Sequence, residues 1–470
     1  MKRALFVQLL LMAALAFPAL ADDLECPAMP SGTRLRPENR YFDVTPRIVP
    51  ADAEAVIEIT PRFDHARFRE GCTYEITYVP TERLAQKSGW APGVKAPVTP
   101  ENGRYQFKMF FEGEQEHVLF IEETCGDKKR VFGDFRVYSL APDLFALRPY
   151  KGDFHMHSHH SDGVESPAYV AGACRRVGLD FMALTDHKKY APSIKAKQAY
   201  DQVPIDLRIY PGEEVHPPDN PVHLLSFGAN AGVSELYQDE AAYRAEVQAV
   251  ADALPELPPG VDRFQYASCL WAYGKIRERE GLGMFCHHYW FTGHQYYVPE
   301  ALVDHLFETQ PFDMLELISG FGWQDLNETD VNALQVARYQ EERAKGKRIP
   351  ICGISDTHGV ERSDAFGRYY TLCFAPSLEL PDIKAAIMGL NSVAVEAVRG
   401  DLPRAYGPFR LVRYALFLLR EVFPQHDELC FEEGRLMIQY ASGDASARDR
   451  LALSQGQIGR VYDRYWARAQ

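Results

Sequence analysis

The chain has 470 residues, 46% of them hydrophobic and 25% charged, the balance of an ordinary globular protein with no low-complexity or disordered stretch. That length suffices for two or three domains around a large core. A formal charge of −14 at pH 7 repels phosphate backbones, so nucleic acid is not expected as a partner, whereas a small anion drawn to a local cation is.

Lys2 and Arg3, the apolar run from Ala4 to Phe17 and the small-residue site Ala19-Leu20-Ala21 predict a signal peptide over residues 1–21. The mature protein is therefore expected to be exported, to the periplasm of a Gram-negative cell or otherwise to the medium. No later stretch is uncharged for the ~20 residues that a transmembrane helix needs. Nine cysteines in an exported chain permit disulfides and leave at least one thiol unpaired. Cys72 and Cys125, each at the edge of a strand-like segment, are the expected pair, and Cys286 and Cys352 are expected as buried thiols.

From 22 to 140 apolar residues alternate with polar ones: Tyr74, Ile76 and Tyr78, then Tyr105, Phe107, Met109 and Phe111. Several short strands between turn residues predict a small antiparallel β-sandwich, a structural or substrate-presenting accessory domain. Residues 141–149, with two prolines, read as a linker. From 150 to 400 the rhythm changes to strand followed by helix. Ser166-Pro167 opens a helix, and Phe181 to Thr185, Leu207 to Tyr210, Val222 to Phe227, Met284 to Cys286, Met314 to Ile318 and Ile349 to Ile354 are short apolar runs separated mostly by helical segments. The fold class is thus α/β, with strands expected to pair in parallel, and about seven such units suggest a barrel. Residues 401–470 read as a helical appendix beginning near Pro408.

The chemistry concentrates at the ends of those apolar runs, where a parallel barrel places functional groups. In Lys151 to Gly163, His155 and His157 are two apart and project to one face of a strand, and Asp162 precedes a glycine turn. Imidazoles and a carboxylate converging on one point suit Zn, Mn or Fe(II). The four histidines at 155, 157, 159 and 160 are also compatible with a solvated metal-scavenging tract. Repetition argues for a site: Asp186-His187, Glu213-Glu214, His287-His288, Glu316 and Asp356-Thr-His358 all lie at or just after apolar runs, and His223 begins one.

Taken in order, H-x-H-x-x-x-S-D-G at 155 to 163, T-D-H at 185 to 187, G-x-E at 212 to 214, His223, C-H-x-Y-W at 286 to 290 and S-D-x-H at 355 to 358 resemble the motifs of the PHP (polymerase and histidinol phosphatase) superfamily. The resemblance spans about Tyr150 to Val395. It implies a distorted (β/α)7 barrel holding two or three divalent ions (Mn, Zn or Fe) and, in most catalytic members, phosphoester hydrolysis. It also implies that His155, His157, Glu214 and Asp356 hold one ion, that His223 and His287 with a bridging Glu214 hold a second, and that Asp162, His187 and His358 hold a third. Glu213 leaves open which glutamate bridges, and His288 stands where many relatives resemble proline.

Among neighbours of these ligands, Asp153 and Asp186 are candidates to orient imidazoles, and Lys188, Arg362 and Arg368 to bind a substrate anion. Asp186, Lys188 and Arg368 complete the candidate catalytic set. The expected function is metal-dependent hydrolysis of a small phosphomonoester or phosphodiester. The alternatives are C–N or C–O ester hydrolysis at the same metals, or a non-catalytic, metal-stabilised binder whose β-domain recognises a glycan or an envelope protein.

Overall fold

The computed structural model describes residues 36–82, 94–320, 330–363, 365–398 and 401–468; the predicted signal at 1–21 lies outside them. Its N-terminal part contains β1 (Phe42–Thr45), β2 (Ile48–Pro50), β3 (Ala53–Pro61), β4 (Thr73–Pro80), β5 (Val94–Val98), β6 (Tyr105–Phe111), β7 (Glu116–Cys125) and β8 (Lys128–Leu140). They form a three-stranded sheet, β1-β3-β6, and a five-stranded sheet, β2-β8-β7-β4-β5. Alternation sends Tyr74, Ile76 and Tyr78 of β4 inward, where they join Ile57, Ile59 and Phe111 of the other sheet and Leu119, Ile121 and Phe135 in one cluster. A disulfide joins Cys72 to Cys125, tying the entry of β4 to the end of β7. The described segment 141–147 is no loose linker. It contains the short helix Pro142–Phe145, whose Leu144 is buried in the main core.

The second part holds β9 (Arg148–Asp153), β10 (Phe181–Ala183), β11 (Arg208–Tyr210), β12 (Gly212–Val215), β13 (Leu224–Phe227), β14 (Leu282–Phe285), the hairpin β15 (Phe291–Thr292) and β16 (Gln295–Tyr296), β17 (Met314–Ile318), β18 (Ile351–Gly353), β19 (Tyr369–Ala375), β20 (Ser392–Glu396) and β21 (Arg404–Tyr406). The main strands fall into two curled sheets, β11-β10-β9-β19-β20-β21 and β12-β13-β14-β17-β18. Two isolated bridges connect them, His187 with Glu214 and Met156 with Thr357, both between segments that follow or precede ladder strands.

Pairing differs from the all-parallel expectation. β9-β10-β11 and β14-β17-β18 are parallel, but β12-β13-β14 is antiparallel, and so is β19 against β9 and β20. The reason at β12 is length. Only His216 to His223 separates it from β13, too short for a crossover helix, so the chain must return antiparallel.

Helix Pro167–Arg176 starts as predicted, with Ser166 Oγ accepting from Tyr169 N at 3.3 Å and proline in the first turn. The C-terminal helices Phe409–Glu421 and Phe423–Ala441 pack on this part and share its largest apolar cluster. Contact is closest at Gly434, where a Cβ would lie 2.1 Å from Arg176 N. Beneath it Lys151, Asp427, His426, Asp180, Arg175 and Glu433 form a buried ionic chain at the strand end opposite the ligand loops. Among the described residues no helix is long and apolar enough to cross a membrane.

Candidate metal centre

Glu214 is the hub. It and Glu213 are neighbours on β12 and therefore face opposite ways. The Glu213 carboxylate turns to the backbone N–H groups of Val233 and Ser234, whereas Glu214 enters a ring of histidines. Oε2 of Glu214 lies 3.2 Å from His155 Nε2, 3.4 Å from His157 Nε2 and 2.7 Å from His187 Nδ1. Oε1 lies 3.1 Å from His223 Nδ1, 3.1 Å from His216 Nε2 and 3.7 Å from His287 Nε2.

Asp356 closes the first group, with Oδ1 3.1 Å from His155 Nε2 and 2.9 Å from His157 Nε2. Asp162, His187 and His358 form another at the rim, where Asp162 Oδ2 is 3.3 Å from His187 Nε2 and 3.4 Å from His358 Nε2. All nine residues implied by the resemblance thus meet in one region. His159 and His160 stay apart; His160 faces Lys195 and accepts from Lys189 through its carbonyl.

The residues fit divalent ions on two grounds. His155 and Glu214 are wholly buried, yet both imidazole nitrogens and both carboxylate oxygens lack a hydrogen-bond partner. Such orphaned buried groups are costly unless something else satisfies them. In addition, ligands at about 2.0–2.1 Å from a tetrahedral ion stand ~3.3 Å from each other, close to the separations around Glu214 and Asp356. Clusters of this kind recur at His155, His157, Glu214 and Asp356, and at His157, Asp162, His187 and His358.

Backbone conformation marks the same places. Lys188, His287 and Asp356 have φ of 57°, 22° and 48°, a region that non-glycine residues occupy at a cost of about 1–3 kcal/mol and that collects at functional sites. Burial opposes the charge of Asp356, but His155 and His157 beside it prevail and hold its carboxyl well below the ordinary range. Burial pushes His223 down to about 3, keeping it in the neutral form that ligation requires. Burial also raises Asp153 to about 7; its Oδ1 accepts from the backbone N–H groups of His155 and Ser355.

Two assignments change. Asp186 is buried, and its carboxylate is spent on Ser158 and Ser161, accepting from both backbone N–H groups at 3.0 and 2.9 Å and from both hydroxyls. It holds the loop carrying Asp162 rather than an imidazole or a substrate. Arg368 is half-buried ahead of β19 and does not line the open cavity of 520 Å³ beside the histidines. Lys188 does, together with Lys189, His216, Trp290 and Tyr297. Arg362 is exposed. His288 is buried against Phe285 and Phe307 on the far side of the chain from His287, which pushes its imidazole down to about 3.

Two residues of the centre were not assigned from sequence. His216 follows Glu214 by two, so strand alternation alone puts it on the same face. Glu316 ends up behind His287 and His155, with Oε2 3.2 and 3.8 Å from their Nδ1 atoms.

No protein-family model matches the chain. A stretch of 57 residues, 12% of this chain and 10% of the curated relative, is 44% identical to the DNA polymerase/3'-5' exonuclease PolX of Bacillus subtilis. Among solved structures, a two-domain protein from Bacteroides vulgatus containing a predicted PHP-like metal-dependent phosphoesterase aligns over 54% of this chain and 67% of its own, at 15% identity and a TM-score of 0.36. An amidohydrolase from Chromobacterium violaceum aligns over 46% and 89%, at 19% identity and a TM-score of 0.29. Six ordered motifs fold around a single buried carboxylate, and with the local sequence match to PolX they make this part of the chain similar to the PHP superfamily.

Proposed function

We propose that this protein is an exported, multinuclear metal-dependent hydrolase acting on a small phosphomonoester or phosphodiester. The observation that carries the reading is Glu214, a wholly buried carboxylate with no hydrogen-bond partner on either oxygen and imidazoles on both sides. His155, His157 and Asp356 would hold one ion with it, His223 and His287 a second, and Asp162, His187 and His358 a third. When bound there, divalent ions would supply a water activated at neutral pH and a counter-charge for the attacked phosphorus.

The chain supplies position and access. Asp186 fixes the loop that brings Asp162 over the histidines, and Glu316 and Asp153 lie where they set ring orientation and strand-end geometry. Lys188 and Lys189, exposed on the cavity wall, offer cations to a substrate anion in a protein that is otherwise acidic. Trp290 and Tyr297, their ring centres 5.0 Å apart, add an aromatic surface to the same cavity. Export is supported by the N-terminal sequence and by a disulfide of the kind that persists in oxidising compartments.

The test is metal content of protein purified without chelator, paired with hydrolysis of p-nitrophenyl phosphate and bis(p-nitrophenyl) phosphate with and without added Mn. Bound metal with release from either ester supports the reading. Cleavage of an amide or lactone without phosphate ester turnover would replace the substrate class, and protein that binds no metal under any loading condition would overturn the assignment.

A further inference from the structure

The nine ligands implied by the family resemblance leave the second group short: Glu214 Oε1, His223 and His287 are three donors. The structure fills the gap. His216 Nε2 lies 3.1 Å from Glu214 Oε1, and the His216 ring centre is 3.9 Å from that of His223. His223 Nδ1 is 3.1 Å from the same oxygen, and His287 Nε2 is 2.6 Å from His223 Nδ1. Three imidazole nitrogens thus surround one carboxylate oxygen.

Glu214 Oε1 has three imidazole nitrogens within 3.7 Å and no well-aligned hydrogen bond from any of them, so their shared position is open to a cation. His216 is also fixed in place. It stands two residues after Glu214, just beyond the end of β12, its backbone N–H donates to the Tyr237 hydroxyl at 3.2 Å, and Pro217 and Pro218 stiffen the turn that follows.

We propose that His216 is a tenth metal ligand, completing a closed set of three imidazoles and one carboxylate oxygen at the second position. This rests on the metal-centre reading above and goes beyond the ligand set that the resemblance implies. A closed four-donor set is the arrangement of tightly held zinc, whereas three donors leave a place for water or substrate. The second ion then acts as a fixed anchor for Glu214, and exchange with solvent is left to the other positions.

The competing role for His216 is to orient His187, whose Nδ1 lies 3.1 Å from His216 Nε2. Loading the protein with Co(II) separates the two. In His216→Cys a ligating thiolate adds a sulfur-to-cobalt charge-transfer band over the wild-type spectrum, where native Cys286 beside His155 and His287 sets the baseline, and an orienting side chain adds none. In His216→Ala, competition against a chromophoric chelator should show at least one ion weakened by about 10-fold or more, with the weakly absorbing visible bands of a site of higher coordination number. A folded, cobalt-loaded His216→Cys without the new band overturns the proposal, as does a His216→Ala that competes like the wild type. Wild-type protein that takes up no cobalt would overturn the metal-centre reading instead, so the two failures are distinguishable.

Discussion

Glu316 Oε2 lies 3.2 Å from Nδ1 of His287, while Nε2 of the same ring faces His223 and Glu214. One carboxylate therefore fixes which nitrogen keeps its proton and which is free for a metal. Glu316 does this from a wholly buried position in β17, where burial opposes its charge but His287 prevails and brings the carboxyl down to about 2. A second imidazole, His155, has its Nδ1 3.8 Å away, so the same carboxylate lies behind two of the candidate ligands.

Glu316→Gln keeps the size and removes the charge. Partners of this kind are worth about 10–100-fold in metal affinity or activity. The variant is expected to stay folded by circular dichroism, to lose metal about 10–100-fold more readily to a chelator, and to lose turnover in step with it. Unchanged metal retention would show that the carboxylate has no part in setting the His287 ring.

Asp186 makes a different prediction, because its carboxylate serves the loop and not the metals directly. Asp186→Ala strips acceptors from the backbone N–H groups of Ser158 and Ser161, and an unsatisfied buried donor costs about 1–3 kcal/mol. Thermal or urea unfolding should report a loss of that order, accompanied by weaker binding at the position that Asp162 helps to form. A stability loss with metal binding intact would assign Asp186 to the fold alone.

Much of the site was legible because it depends on short-range periodicity. His155 and His157 share a face by alternation, and ligand-type residues at the ends of apolar runs needed no knowledge of which strands pair. What a sequence leaves open depends on distant partners. Glu213 and Glu214 are indistinguishable in sequence, and the choice is made by the N–H groups of Val233 and Ser234, about twenty residues on. Asp186 beside a ligand suggested a role toward imidazole, but the loop from Ser158 folds back and claims it first. The antiparallel turn at β12 was marked by the prolines between His216 and His223, yet those same prolines concealed that His216 still lies on the ligand face. The packed C-terminal helices contribute none of the cavity lining.

The disulfide between Cys72 and Cys125 spans 53 residues of the N-terminal part. Closing a loop of that size restricts the unfolded chain by up to about 4 kcal/mol, and native bridges typically realise 2–4. The Cys72→Ala, Cys125→Ala pair is therefore expected to lower the unfolding midpoint of the β-sheet part without releasing metal. Because the metal centre lies on other elements, simultaneous loss of bound metal in the intact full-length variant would contradict this separation.

The ionic chain under helix Phe423–Ala441 makes stability depend on pH. His426 is wholly buried with Nε2 2.8 Å from Asp180 Oδ1 and Nδ1 2.9 Å from Asp427 Oδ1. Only an imidazolium donates from both nitrogens. Lys151, Arg175, Glu433 and Cys430 complete the surroundings, and Lys151 and Arg175 share the same two aspartates. Burial alone would lower the pKa of His426, but Asp180 outweighs it and raises the group well above 6.5. A raised folded-state pKa contributes stability in full below about 6.5, the unfolded value, and that contribution is lost as pH rises through the folded value. His426→Asn should accordingly destabilise the protein more at pH 6 than at pH 9, by about 1–3 kcal/mol at pH 6, since Lys151 and Arg175 still pair with the two aspartates. Urea unfolding of metal-free wild type and variant at the two pH values measures the difference. A gap of equal size at pH 6 and pH 9 would mean that His426 is held as a neutral ring and that Lys151 and Arg175 alone balance the two aspartates.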